Sequence, residues 1–202
     1  MAAPVLQARS LRVALPGQPP LFDGFTFDLP AGLTRLDLDV GKTTLLRLLA
    51  GELEGAGDFV LNGRAWRPAD GRHDVAWVDP RHDAWDGCTP DEVKAAVQQR
   101  HPAFDEATWQ QLVDAFDLTE HLHKTMHMLS TGSRRKVALA AALSAGAALT
   151  LLDEPTAGLD TPARDALAVA LQDLAAQPRR AALLAAAWGL ESQLPWAAVL
   201  EK

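Results

Sequence analysis

Cysteine is almost missing: Cys88 is the one thiol in 202 residues. A lone cysteine cannot build a disulfide framework, which points to a reducing compartment. No histidine or acidic residue stands beside it at nucleophile spacing, so it reads as structural. Positive charge is also in deficit, with 19 Lys and Arg against 26 Asp and Glu and a formal net charge of -7. Such a surface repels polyanions on average and argues against a nucleic-acid partner. The short basic clusters, Arg134-Arg135-Lys136 and Arg179-Arg180, read as a solvated helix face and a turn. No secretory leader is expected, because Pro4, Gln7, Arg9 and Arg12 interrupt the first apolar residues. Nor is there a membrane span. The longest apolar stretch, Val137 to Leu152, is broken by Ser144, Gly146 and Thr150, and is shorter than the ~20 residues a bilayer needs. A buried helix followed by a buried strand accounts for it. Internal repeats and low-complexity linkers are lacking too.

What is present is a globular composition, 48% hydrophobic and 22% charged, enough for a substantial core. The length fits a single domain over 1–202. Strands are expected over Val5–Leu15, Leu21–Leu29, Leu33–Leu38, Asp58–Leu61 (closed by the turn pair Asn62-Gly63), Val75–Val78, Ala148–Leu152, Ala181–Ala186 and Ala197–Leu200. Leu45, Leu46, Leu48 and Leu49 give helical periodicity ended by Gly51, and further helices are expected over Pro90–Gln99, Phe104–Leu118, Gly132–Ala145 and Thr161–Ala176. Strands alternating with helices imply an α/β fold with parallel members.

Three segments carry chemistry. Gly41-Lys42-Thr43-Thr44 lies between a strand and a helix, where backbone N–H groups and the helix dipole meet phosphates. There Lys42 would meet the β- and γ-phosphates and the Thr43 hydroxyl would ligate Mg²⁺, although with Leu36 at the first glycine of the full pattern the fragment alone also reads as a chance match. The run Leu149 to Pro155 is a buried strand ending in two carboxylates. Asp153 suits a water-held Mg²⁺ and Glu154 suits polarising an attacking water, although the pair also reads as the acidic end of an ordinary strand. Leu129-Ser130-Thr131-Gly132-Ser133 opens an Ala- and Leu-rich helix, an anion site or a plain N-cap.

Taken together, the order of these segments resembles the ATP-binding cassette (ABC) family of transporter ATPases. Asp153 to Asp160, with Pro155-Thr156-Ala157-Gly158-Leu159 between, is similar to that family's Walker B motif joined to its D-loop. Thr43 to Gly51 resembles its first helix, and Leu129 to Leu143 its signature motif and following helix. The short length, Leu21-Phe22-Asp23-Gly24-Phe25 and Ala31-Gly32 resemble the haem-exporter cassettes of cytochrome c maturation. The resemblance implies a P-loop NTPase of ABC type. It would have a mostly parallel core, an antiparallel β subdomain and a helical subdomain at approximately 85–145. It implies ATP and Mg²⁺ as ligands, an integral membrane partner, and a second cassette in a head-to-tail dimer at the cytoplasmic face of the inner membrane. The implied ATP-binding residues are Asp39, Val40, Gly41, Lys42, Thr43 and Thr44, and the implied metal ligands are Thr43, Asp153 and, as a further candidate, Asp79. Glu154 is implied as the catalytic residue. Leu129, Ser130, Thr131, Gly132 and Ser133 would cap the γ-phosphate across the dimer, beside the D-loop Asp160.

Several positions depart from the family. Leu36 and Asp39 replace phosphate-loop glycines, where a backbone of unusual φ/ψ is expected to approach phosphate. No glutamine follows Val75–Val78; Asp79-Pro80 does. Trp188 occupies the histidine switch position, and an indole has one donor and no basic nitrogen. Val13, Ala14 and Leu15 stand where an adenine-stacking aromatic is expected. These changes imply weakened ATPase activity, or a non-hydrolysing cassette that regulates or donates its signature to a partner. His121, His123 and His127 read as a surface helix, and Trp85 as an anchor for the membrane partner if exposed.

Overall fold

The computed structural model describes residues 3–14, 17, 19–78 and 85–202. Among the described residues nine strands form two sheets. The first is antiparallel, in the order β2 (Phe22–Leu29), β1 (Leu6–Val13), β4 (Ala56–Leu61), β5 (Arg64–Trp66). The second has the order β6 (Val75–Val78), β7 (Leu149–Asp153), β8 (Ala181–Ala185), β3 (Gly32–Leu36), β9 (Trp196–Leu200), and every pairing in it is parallel. Asn62 and Gly63 both take positive φ, 49° and 79°, as a two-residue hairpin turn of the primed type requires. The turn returns the chain into the short β5, which sequence periodicity does not reveal. Three residues are too few to show alternation, and β5 is anchored by Trp66 packed edge-on against Phe59 at 6.1 Å.

Both faces of the parallel sheet are covered, which explains why its central strands are continuous apolar runs. In β8, Ala181, Leu183 and Ala185 join the core under the antiparallel sheet and α1 (Lys42–Leu49). Ala182 and Leu184 point to the other core, built with α4 (Thr131–Ser144) and α5 (Thr161–Ala175). Strand β7 divides likewise, Leu149 and Leu151 to the first core and Leu152 to the second. The stretch Val137 to Leu152 is therefore the body of α4 plus β7, and among the described residues no helix is long and apolar enough to cross a membrane.

Helices α2 (Pro90–Arg100) and α3 (Glu106–Ala115) pack against α4. A capping box starts α2: the Thr89 hydroxyl accepts from the Glu92 N–H, and a Glu92 carboxylate oxygen accepts from the Thr89 N–H at 2.7 Å. Asp105 caps α3, accepting from the Ala107 and Thr108 N–H groups, so the helix begins later than the apolar pattern suggests. It stops at Ala115, before Asp117 takes a positive φ of 55°. His121 lies in a single 3₁₀ turn, where Lys124 Nζ is 3.1 Å from its Nδ1, rather than on a continuous surface helix.

His101, at the C-cap of α2, is 4% exposed, and its Nδ1–H donates to the His73 carbonyl at 2.9 Å. Burial holds this imidazole below its ordinary range. The folded state resists a proton that the unfolded chain accepts below about pH 6.5. Stability contributed here is thus complete above that value and declines as pH falls toward the depressed folded pKa. Urea unfolding between pH 7.5 and 5.5 should show this decline, and His101→Gln should flatten it.

Candidate functional site

Three loops leave the C-terminal edge of the parallel sheet side by side. In register, Ala185 of β8 pairs with Leu36 of β3 on one side and Asp153 of β7 on the other. The phosphate-loop segment, the acidic pair and the segment to Trp188 therefore emerge together, at the edge where open α/β sheets bind ligands.

Beyond Leu36 the chain runs through residues 37–41 into α1. Asp39 and Val40 are exposed, and Lys42, Thr43 and Thr44 are half-buried at the helix start. Gly41 is the N-cap, with φ 90° and ψ 8°. A Cβ there would lie 2.8 Å from Leu21 Cδ2 and 3.0 Å from Phe22 Cζ. Glycine is needed both for the left-handed backbone and because β2 braces the loop from beneath. The expected strain at Leu36 and Asp39 is not realised: only Gly41 in this loop has positive φ. Leu36 is a buried strand residue, 1% exposed, and Asp39 costs charge rather than conformation.

The loop and the acidic strand meet directly. The Thr43 hydroxyl donates to Asp153 Oδ2 at 2.7 Å, joining residues 110 apart in sequence. Asp153 is 6% exposed, whereas Glu154 opens to solvent. Glu154 has φ 48°, a left-handed backbone that a residue with a Cβ enters at a cost of about 1–3 kcal/mol. Its N–H donates to the Ala185 carbonyl at 3.0 Å, and its own carbonyl accepts from the Ala157 N–H at 3.1 Å and from Arg135 Nη1.

Ser130 caps α4 through its hydroxyl, which accepts from the Ser133 N–H at 3.0 Å and lies 2.9 Å from the Ser133 hydroxyl. Leu129 is buried, Ser130 and Thr131 are exposed, and Gly132 and Ser133 are half-buried. A Cβ on Gly132 would come 2.7 Å from the Gly158 carbonyl oxygen, so this glycine permits close contact with the segment after Glu154. Asp160 caps α5, accepting from the Ala163 N–H, and pairs with Lys136 Nζ at 2.9 Å. The hydrogen bond from Lys136 holds the Asp160 carboxyl below the usual carboxylate range.

The basic cluster of α4 is therefore not a solvated face. Arg134 pairs with Asp86 at 2.9 Å, Arg135 binds the Glu154 carbonyl, and Lys136 holds Asp160. Sequence reasoning missed these partners, yet a signal existed: Gly132, Arg135 and Lys136 lie at i, i+3 and i+4, one face of a helix.

Trp188 lies two residues after Ala186, whose φ is 51°, and is 70% exposed. Asp79 lies outside the described residues, as does Leu15. Trp85 is half-buried and packs on the core rather than standing clear of it. With Asp86, Val78, Val93 and Arg134 it lines a cavity of about 400 Å³ between β6, α2 and α4, which Arg135, the donor to the Glu154 carbonyl, also borders.

Comparison with known proteins bears on family and fold. The family model described as "ABC transporter" matches residues 40–157. A "Cytochrome c biogenesis ATP-binding export protein CcmA" of Pseudomonas putida is 37% identical over 150 residues, 69% of this chain and 70% of that protein. An "Fe(3+) ions import ATP-binding protein FbpC 2" of Pectobacterium atrosepticum is 34% identical over 162 residues, 71% of this chain but 44% of the relative's length. The chain thus spans under half of that importer subunit. A structure titled "Structure of ATP binding subunit of ABC transporter" superposes with a TM-score of 0.77, covering 90% of this chain and 79% of that one. At 23% identity that likeness is one of fold. The expected cassette fold is present, and the chain belongs to the ABC transporter family.

Proposed function

We propose that this chain is the ATP-binding and ATP-hydrolysing subunit of a membrane transporter, working as one nucleotide-binding domain over 1–202 with a helical subdomain at approximately 85–145. The observation that carries this reading is the Thr43–Asp153 hydrogen bond, which brings phosphate loop and acidic strand to one point. Hydroxyl and carboxylate oxygens are the donors a hard divalent cation takes, so the pair fits Mg²⁺. When bound, Mg²⁺ would neutralise charge on the β- and γ-phosphate oxygens.

The chain's own groups would divide the work. Asp39, Val40 and Gly41 present backbone to the phosphates, Lys42 offsets their charge, and Thr43 and Thr44 hold position at the start of α1. Glu154 orients a water and accepts its proton as the new P–O bond forms and the bond to the β–γ bridging oxygen breaks. Leu129 to Ser133 would face the nucleotide of a second cassette, with Asp160 at that junction and Trp188 at the switch position. The cassette fold and the transporter relatives suit a peripheral subunit docked on an integral membrane partner. Such a subunit would sit on the cytoplasmic face of the inner membrane, as in a haem-exporter type of assembly.

Titration with Mg-ATP tests the loop. Lys42→Ala should weaken binding at least tenfold. A like charge at ~4 Å costs about 1 kcal/mol in water and about 4 at an effective dielectric near 20. Exposed Asp39 lies toward the lower bound, so Asp39→Gly should tighten binding by roughly five- to tenfold. Unchanged affinity in both variants would remove the nucleotide from this loop.

A second reading is favoured by Asp39 and Trp188: a cassette that serves chiefly as signature donor to a competent partner. Turnover by a mixed dimer separates the two. Under this reading Ser130→Ala in this chain abolishes hydrolysis and Lys42→Ala in this chain does not. The opposite pattern leaves the hydrolysing subunit.

A further inference from the structure

We infer that Arg135 is a positioning residue for Glu154, fixing the left-handed backbone that aims its carboxylate, an inference that rests on the proposed role of Glu154. The first ground is the strained backbone. Glu154, at φ 48°, is one of five non-glycine residues with positive φ among those described, and such a conformation persists only when its surroundings over-determine it. One end of the residue is tied by its N–H to the Ala185 carbonyl. The other is tied by the Arg135 guanidinium, which donates to the Glu154 carbonyl beside the local turn bond from Ala157. Arg135 is the sole side chain in this set, and it comes from a different element.

The second ground is how Arg135 itself is held. Gly132, Arg135 and Lys136 share one face of α4, and each meets the segment 154–160: Gly132 lies against Gly158, Arg135 binds Glu154, and Lys136 pairs with Asp160. The helix turn bearing Arg135 is thereby clamped on both sides. The third ground is electrostatic. Arg135 is half-buried, and desolvation pulls its affinity for a proton down while the fields of Glu154 and Asp153 oppose that. A cation kept partly out of water beside two adjacent carboxylates is not an ordinary solvated helix arginine.

Without the guanidinium the Glu154 peptide is free to turn toward an unstrained conformation, carrying its carboxylate off the line of the attacking water. Nucleotide binding through Gly41, Lys42 and Thr43 is untouched by that rotation. The loss therefore falls on kcat rather than on KM.

The test is Mg-ATP hydrolysis by the chain as wild type, Arg135→Ala, Arg135→Lys, Glu154→Gln and the Arg135→Ala/Glu154→Gln double variant, with nucleotide affinity as the check on folding. Arg135→Ala is expected to lower kcat about tenfold or more with KM and affinity within twofold. Arg135→Lys, which keeps a charged donor, restores most of the rate. In the double variant, phosphate release measured in single turnover is no slower than with Glu154→Gln alone, because both changes strike one unit. A wild-type chain without turnover, or a Glu154→Gln chain with undiminished turnover, overturns the role of Glu154 and the inference with it. If Glu154→Gln abolishes turnover while Arg135→Ala leaves kcat unchanged, or if the two losses add in full, the role stands and the inference falls.

Discussion

The Thr43–Asp153 hydrogen bond is the contact on which the site depends, because it spans two strands that are not neighbours. Strand β8 separates β3 from β7, and its end at Ala185 is in register with both. The loop after β3 must turn into α1 and deliver a hydroxyl across that intervening strand to a carboxylate that is 6% exposed. Gly41 makes the turn possible by accepting a left-handed backbone directly above Leu21 and Phe22. Were the turn wider, the hydroxyl would fall short, and a buried carboxylate would lose its partner at a cost of a few kcal/mol.

The same edge is held from a second direction by α4. Its first turns touch the chain after β7 at Gly132, Arg135 and Lys136, so the helix that begins at Ser130 and the acidic end of the buried strand move as one body. The ion pair between Lys136 and Asp160 joins a lysine side chain that is 14% exposed to a carboxylate that is 57% exposed. Each contact is modest alone. Their weight comes from sitting on one helical face, where none can break without displacing the others.

Much of the architecture was legible in the sequence, because the parallel strands are short apolar runs punctuated by turn residues. The ends of α2, α4 and α5 follow from Thr89, Ser130 and Asp160, side chains whose chemistry is local. The convergence of Thr43 with Asp153 was legible as motif order, although the bond itself is a long-range contact. Strand β5 was not legible, being too short for periodicity and stabilised by Trp66 against Phe59. Nor were the partners of Arg134, Arg135 and Lys136, since a run of like charges looks solvated until the opposite surface is known. Leu36 fell inside the expected strand Leu33–Leu38, and it is the last residue of β3 with its side chain in the core.

Trp188 gives this edge an optical consequence. Of the six indoles, Trp66 and Trp109 are buried, Trp77, Trp85 and Trp196 are half-buried, and Trp188 alone is open to water at 70% exposure. An indole's emission shifts to the blue as water leaves it, so anything that covers the sheet edge would move the colour of one fluorophore against five comparatively steady ones. Trp188 thereby doubles as a native reporter of whether that surface is wet or dry.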